Sequence, residues 1–403
     1  MPATWSPQVF APYPFAAPLL FGRVAARSPM FGTSASAGGD RVLIGSAAGT
    51  ETGDVALRSR SELLERLGNV LAGRCAESRA ALVADHSGLL RRGAPALDPA
   101  PWTGQVGRHL RQLWVGGRSL LRDTEVLVPA GLVFLQHRAP EGCAVPVRVG
   151  STGLAAHPQR GAAIGHAAWE TLERDLLRRS WQSPAEHPPA VRPVDNELPP
   201  AVRRVCEEFG LLGTALTVSA PGAHAVAVCL HTPDRREQTF GARCGPPGRH
   251  QELLASASYE ALMVRWSMNT PAAHQARQRL VATDGPVSAL EHALWTYQGH
   301  QDALARWTCG ASRDSGPAPP ASGETTHGWA DPVCGTDGAS QRPPHDPVRV
   351  LAEHTGEDVI AIDTTPTDLH GEETVILRLV APGTLPLPST SHPSSAAPPH
   401  PFG

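Results

Sequence analysis

The segment Ser151-Thr-Gly-Leu-Ala-Ala156, followed by Glu170-Thr-Leu-Glu-Arg-Asp175, decides how the rest of the chain is read. Its first part is a turn feeding a short apolar run. Its second part lies in a stretch from about Pro158 to Arg179, where Ile164, Ala168, Leu172 and Leu176 recur at helical spacing and predict a long amphipathic helix. Glu170 and Glu173, three residues apart, share one face of that helix, with Cβ atoms about 5–6 Å apart. A second pair of the same type, Glu62-Leu-Leu-Glu65-Arg66, sits earlier in another helical stretch, Leu57 to about Val83. There Leu63, Leu64, Leu67, Val70 and Leu71 mark the apolar face, and Glu62, Glu65 and Asn69 fall opposite. If the two helices face each other, four carboxylates converge and repel unless cations sit among them. Oxygen donors alone select magnesium or calcium, and magnesium shares its shell with substrate phosphates. The arginine after each pair, Arg66 or Arg174, is placed to meet such phosphates. Taken alone, a Glu-x-x-Glu-Arg spacing more often marks a solvated helix face.

Working outward, residues 1–40 are rich in Pro, Ala and Ser and are expected as a partly irregular N-terminal segment. Arg41 to Ile44 reads as a strand entering a turn at Gly45 to Gly49, and Glu125 to Gln136 and Val145 to Val149 read as β segments. Thr214 to Leu230 reads as one or two strands, and Gln251 to Met268 as a third long helix carrying Glu260 and Arg265. The segment 310–347 has almost no aliphatic residues and is expected to be a disordered insertion between a core at 41–309 and C-terminal strands at 348–385. Those strands are expected at Val348 to Leu351, Val359 to Ile362 and Thr374 to Val380. The proline-rich tail, 386–403, is expected to be unordered unless something captures it. No internal repeat is legible.

Composition narrows the functional classes. With 403 residues the chain is long enough for a sizeable core. Its 35 basic and 38 acidic residues leave a net charge of −3, which argues against a nucleic-acid binder. All 35 are arginine, so Schiff-base chemistry and a Gly-Lys-Ser/Thr phosphate loop are excluded. Seven cysteines, widely spaced and without Cys-x-x-Cys, fit reduced thiols in a cytoplasmic protein rather than a zinc or iron–sulfur site. No apolar run is long enough for a membrane helix.

The combination of these motifs resembles the YcaO-domain family, in which a Ser-Thr/Asn-Gly-Leu-Ala segment precedes a helix bearing Glu-x-x-Glu-Arg-Asp. Leu57 to Leu67 resembles that family's first motif, Val128-Pro-Ala130 its sheet segment, and Ser258 to Arg265 its third motif. Ile362-Asp-Thr364 and Arg378 to Gly383 resemble its C-terminal strands, and the closing Pro-His-Pro-Phe resembles the tail of the azoline-forming cyclodehydratase branch. The resemblance covers residues 40–403 apart from 310–347, and it departs from the family at Arg58, His157, Met263 and Gly403.

The resemblance implies a mixed α/β (α+β) fold that binds ATP and Mg2+. It implies Glu62, Glu65, Glu170 and Glu173 as metal ligands, and Arg66, Arg174, Glu260 and Arg265 as cofactor-binding residues. The tail residues Pro399, His400, Pro401, Phe402 and Gly403 are implied at the catalytic centre. The implied activity is phosphorylation of a backbone amide oxygen in a ribosomally made precursor peptide, converting Cys, Ser or Thr to azolines. The implied partners are the leader-bearing precursor, a separate E1-like (ThiF-type) leader-binding protein and an FMN dehydrogenase acting later. Neither nucleic acid nor membrane is implied, and a homodimer is compatible. Thioamide or amidine formation, and a catalytically silent YcaO-like scaffold, are the alternatives.

Overall fold

The N-terminal segment is built into a sheet. The computed structural model describes residues 5–33, 41–281, 285–286, 288–309, 346–385 and 399–402. Within it, Gln8–Phe10, Leu20–Ser28 and Arg41–Gly49 form a three-stranded antiparallel sheet in that order. Phe21 pairs with Ala48 and Arg23 with Ser46, so the last strand continues through the glycines expected to turn. The 28-residue helix Thr52–Arg79 lies across this sheet, and Val24, Ala26, Leu43, Leu63, Leu67 and Val70 bury one another between them. The approach is so close that a Cβ at Gly45 would overlap the Ser59 carbonyl and the Leu63 amide.

The same device recurs later. Ala190–Pro193, Leu212–Ala220, Ala223–His231 and Thr239–Gly245 form a four-stranded antiparallel sheet. The helix His250–Ser267 follows and packs on its last two strands, where Gly241 leaves no room for a Cβ against Ala257 and Ala261. A hairpin followed by a helix is therefore used twice, a repeat of architecture that leaves almost no trace in the residues.

A six-stranded sheet joins the two units. Its main path runs Val83–Ala84, Gln112–Ser119, Ile360–Asp363, Val375–Val380 and Leu154–His157, with Glu125–Pro129 paired to Gln112–Ser119. The helix Arg160–Gln182 packs between this sheet and the second one, burying Leu172, Leu177 and Trp181 with Leu216, Phe240 and Leu377. Each of the three long helices thus touches strands belonging to a neighbouring unit, and together they surround one region.

Three local expectations change. Ala130–Val133, read as part of the β segment Glu125 to Gln136, is a short helix that follows the strand Glu125–Pro129. Val348 to Leu351 belongs to a helix, Pro347–Thr355, because Asp346 accepts the Val348 N–H (3.1 Å), Pro347 fits its first turn, and Val350, Leu351 and Ala352 face the core. Val145 to Val149 forms no strand; Val147 and Val149 pack against Leu113, Val128 and Ile360 without a paired strand. Beyond Ser267 three further helices follow, Pro271–Val281, Ala289–Tyr297 and Ala303–Thr308. The expected insertion lies almost wholly outside the described residues, and no described helix is long and apolar enough to cross a membrane.

Replacing Gly45 by Ala is expected to destabilise the fold by about 1–3 kcal/mol, since rigid backbone must move to admit the methyl group. Gly53, in the helix Thr52–Arg79 with open space around its Cβ position, is the control: Gly53→Ala should be neutral or stabilising. Urea denaturation midpoints of the two variants check both.

Candidate active site

Three sheet edges converge on the region between the long helices, and each hands a backbone N–H to a glutamate. Ser46, on the edge strand Arg41–Gly49, donates to Glu62 (2.6 Å). Gly153, just before the edge strand Leu154–His157, donates to Glu170 (3.0 Å). Ala242, on the edge strand Thr239–Gly245, donates to Glu260 (3.1 Å). Gly153 is glycine for two reasons: its φ of +81° is left-handed, and a Cβ would press on the Leu379 carbonyl. The first edge is capped further by a ladder at helical spacing. Arg58 donates to the Ala48 carbonyl (2.7 Å), and Arg66 donates to the Ile44 carbonyl (2.5 Å) while pairing with Glu62 (2.6 Å).

The charges are interleaved. Burial and the neighbouring Glu170 push the Glu65 carboxyl well above its ordinary range. Burial also raises Glu170, against the pull of Arg174, its Gly153 hydrogen bond and Arg378. Glu173, only 2% exposed, is pushed up to about 7 by burial, with Glu260 and Glu170 adding to the effect and Arg174 and Arg243 opposing it. Arg174 sits in the middle: burial lowers its guanidinium, but Glu173, Glu260, Glu170 and Glu62 outweigh burial and raise it. Arg378, on the strand Val375–Val380, is lowered to about 10 by burial despite Glu170 and Glu65. Its Nη1 donates to the Gly150 carbonyl (2.7 Å), and its buried Nε has no hydrogen-bond partner among the described residues. Side-chain exposure grades from 3% at Glu173 and 17% at Arg174 to 28% at Glu62 and 32% at Arg66, so the cluster opens to solvent at the Glu62 end.

The structure therefore brings together Glu62, Glu65, Glu170, Glu173, Glu260, Arg66 and Arg174. Arg265 stands elsewhere: it is paired with Glu237 and lies over the Tyr297 ring at 5.5 Å. Pro399, His400, Pro401 and Phe402 are held among the helices near Phe240, and Gly403 lies outside the described residues. Arg243 and Arg378 were missed by motif reading; a single arginine inside the apolar run Val-Ile-Leu-Arg-Leu-Val was the available signal for the second. Asp175, the last residue of the Glu-x-x-Glu-Arg-Asp motif, faces away from the cluster. It is fully buried and accepts from His354 Nε2 (2.6 Å), Arg179 Nε (2.8 Å) and the Leu385 N–H (2.7 Å). Burial alone would raise its carboxyl, but those hydrogen bonds hold it below the ordinary range.

Among the described residues no three His, Cys, Asp or Glu side chains form a preformed metal cage. Magnesium does not need one, since it takes one or two carboxylates and completes its shell with water and substrate phosphates. The donor set fits: hard oxygen ligands, mutual repulsion that a cation relieves, and an orphaned buried guanidinium nitrogen beside them.

The fold and site define a mixed α/β protein whose buried carboxylate–arginine cluster suits a divalent cation with phosphates. Residues 58–385 match the family described as YcaO cyclodehydratase, ATP- and Mg2+-binding, and the chain belongs to that family. ATP and Mg2+ are accordingly its cofactors, with Glu65, Glu170 and Glu173 the carboxylates most in need of a cation. Similar solved structures include a YcaO from Methanopyrus kandleri bound with AMPPCP and Mg2+, at 20% identity and TM-score 0.57, covering 97% of this chain and 90% of that one. A heterocyclase in complex with substrate and cofactor matches at 15% identity and TM-score 0.62 over 94% of this chain and 50% of that longer one. The E. coli microcin synthetase McbBCD complex with pro-MccB17 bound matches at 13% identity and TM-score 0.56, over 94% and 89%. No curated protein matches the chain significantly.

Asp175→Asn is expected to cost about 2 kcal/mol at neutral pH through its charged hydrogen bonds. A depressed carboxyl contributes stability above its unfolded pKa and loses it as pH falls, so the gap in Tm between wild type and variant should shrink below about pH 4. The raised Glu173 has the opposite sign. In metal-free protein its contribution to stability is present at low pH and is lost as pH rises through about 7. Added MgCl2 should therefore raise Tm more at pH 8 than at pH 5, and Glu170→Gln/Glu173→Gln should remove that difference in a thermal-shift assay.

Proposed function

We propose that the chain is an ATP-dependent peptide cyclodehydratase. The observation that carries this reading is the central position of Arg174 among Glu62, Glu170, Glu173 and Glu260, with Glu65 against Glu170, in a chain of the YcaO cyclodehydratase family. When bound in this cluster, Mg2+ and a nucleotide would supply a transferable phosphoryl group whose charge the cation and arginines neutralise. Glu65, Glu170 and Glu173 hold the cation; Arg66 and Arg174 orient the phosphates; Glu62 and Glu260 fix the helices to the sheet edges.

The substrate in this reading is a leader-bearing precursor peptide. A Cys, Ser or Thr side chain, losing its S–H or O–H proton, adds to the preceding carbonyl carbon, and the resulting oxyanion takes the γ-phosphoryl group from ATP as ADP leaves. The carbon–oxygen bond then breaks to release phosphate and leave an azoline, with the amide nitrogen losing its proton. An amide oxygen is a poor leaving group and phosphate a good one, which is the work the nucleotide does. An E1-like partner presents the leader, and an FMN dehydrogenase acts afterwards on the azoline.

Mass spectrometry of precursor incubated with this protein, its partner, ATP and Mg2+ checks the reading. The expected product has lost one water per ring, and Glu170→Ala/Glu173→Ala gives none. Exchange of oxygen for sulfur would instead establish thioamidation. Unchanged peptide, with binding of precursor and partner demonstrated, would establish a silent scaffold.

A further inference from the structure

The last described residues of the chain are seated in a built socket. The Pro399 carbonyl accepts from Gln301 Nε2 (3.0 Å), whose amide also donates to Thr296 Oγ1 (2.7 Å). The His400 ring stacks on His292 at 4.1 Å with an interplanar angle of 10°. Phe402 is 3% exposed and meets two rings edge-on, Phe240 at 6.0 Å and Trp307 at 5.7 Å.

Those two rings connect to different supports of the glutamate cluster, and they also meet each other at 6.2 Å. Phe240 immediately precedes Gly241, which lies against the helix His250–Ser267, and Ala242, whose N–H holds Glu260. Trp307 donates from Nε1 to Ser180 Oγ (2.8 Å) and meets Trp181 edge-on at 5.7 Å, both on the helix that carries Glu170 and Glu173. Phe402 thus touches the strand that fixes Glu260 directly and reaches the helix that carries Glu173 through Trp307 of the helix Ala303–Thr308, while its own ring contacts are aromatic.

We infer that Phe402 is a positioning residue: by keying the Glu260 strand to the Glu170/Glu173 helix it sets the spacing of the carboxylates that receive the Mg2+–nucleotide. The inference rests on reading those glutamates as the cation site. It separates the part of the tail that organises the site from any group that does chemistry there.

Isothermal titration of the full-length protein with a non-hydrolysable ATP analogue and Mg2+ tests it. Phe402→Ala should weaken binding by about tenfold, the equivalent of one lost aromatic contact. Phe402→Leu, which still fills the socket, should keep most of the affinity. Gln301→Ala loosens the seat without opening the core and should move affinity in the same direction as Phe402→Ala. The peptide Pro-Pro-His-Pro-Phe-Gly, added to Phe402→Ala protein, should restore affinity as free acid and as C-terminal amide alike, whereas the same peptide with Ala for Phe should not. Wild-type affinity in folded Phe402→Ala protein, or rescue by the acid alone, overturns the inference. If wild type itself shows no Mg2+-dependent binding, the reading of the cation site falls first.

Discussion

Burying several carboxylates in one place is the constraint to which the rest of the structure answers. An ionised carboxylate taken from water without compensation costs several kcal/mol, and here Glu65, Glu170 and Glu173 are all pushed toward their protonated forms. The arginines do not cancel this, because Arg174 and Arg378 are desolvated too. Glu62, Glu65, Glu170, Glu173 and Glu260 face Arg66, Arg174, Arg243 and Arg378, so the fully ionised cluster keeps an excess of negative charge. A divalent cation overcorrects that excess, and the anionic phosphates of a nucleotide restore the balance. Neither suits the cluster as well without the other.

The same charges solve a second problem. Exposed strand edges present unpaired N–H and C=O groups that invite wrong pairing, and three such edges end at the site. Arg58, Glu62 and Arg66 close one of them, Glu170 caps the approach to another and Glu260 caps the third. Glu62 therefore carries two duties at once. Its half-exposed carboxylate both seals the edge and contributes to the field at Arg174.

How much of this could be read from sequence depended on whether the signal was local. The glutamate pairs were legible because a three-residue spacing on a periodic apolar stripe places both groups on one face whatever the tertiary structure. Arg378 and Arg243 were not, because only strand pairing brings them to Glu170 and Glu173. Arg265 has motif-like spacing after Glu260, yet it pairs with Glu237 from a different segment. At Val348 to Leu351 β-branched residues outweighed a start signal that was present, Asp346-Pro347. The repeated hairpin and helix left only a glycine and a glutamate in common, since the other partner in each bond is a main-chain N–H that any residue supplies.

That repeat also explains why the two halves do different work. Gly45 meets Ser59 and Leu63 as Gly241 meets Ala257 and Ala261, which makes Glu62 and Glu260 counterparts, each one residue before the second contact. Counting on, Glu65 and Arg66 correspond to Met263 and Val264. The first copy thus turns charge toward the helix Arg160–Gln182, while the second spends the same positions on packing. Met263 joins the cluster around Leu254 and Leu262, and Val264 joins the one around Leu294 of the C-terminal helices. Those helices, Ala289–Tyr297 and Ala303–Thr308, carry His292 and Trp307, the walls of the tail's socket. One scaffold used twice divides the labour: the charged copy faces the cation and phosphates, and the apolar copy anchors the elements that hold the site's geometry.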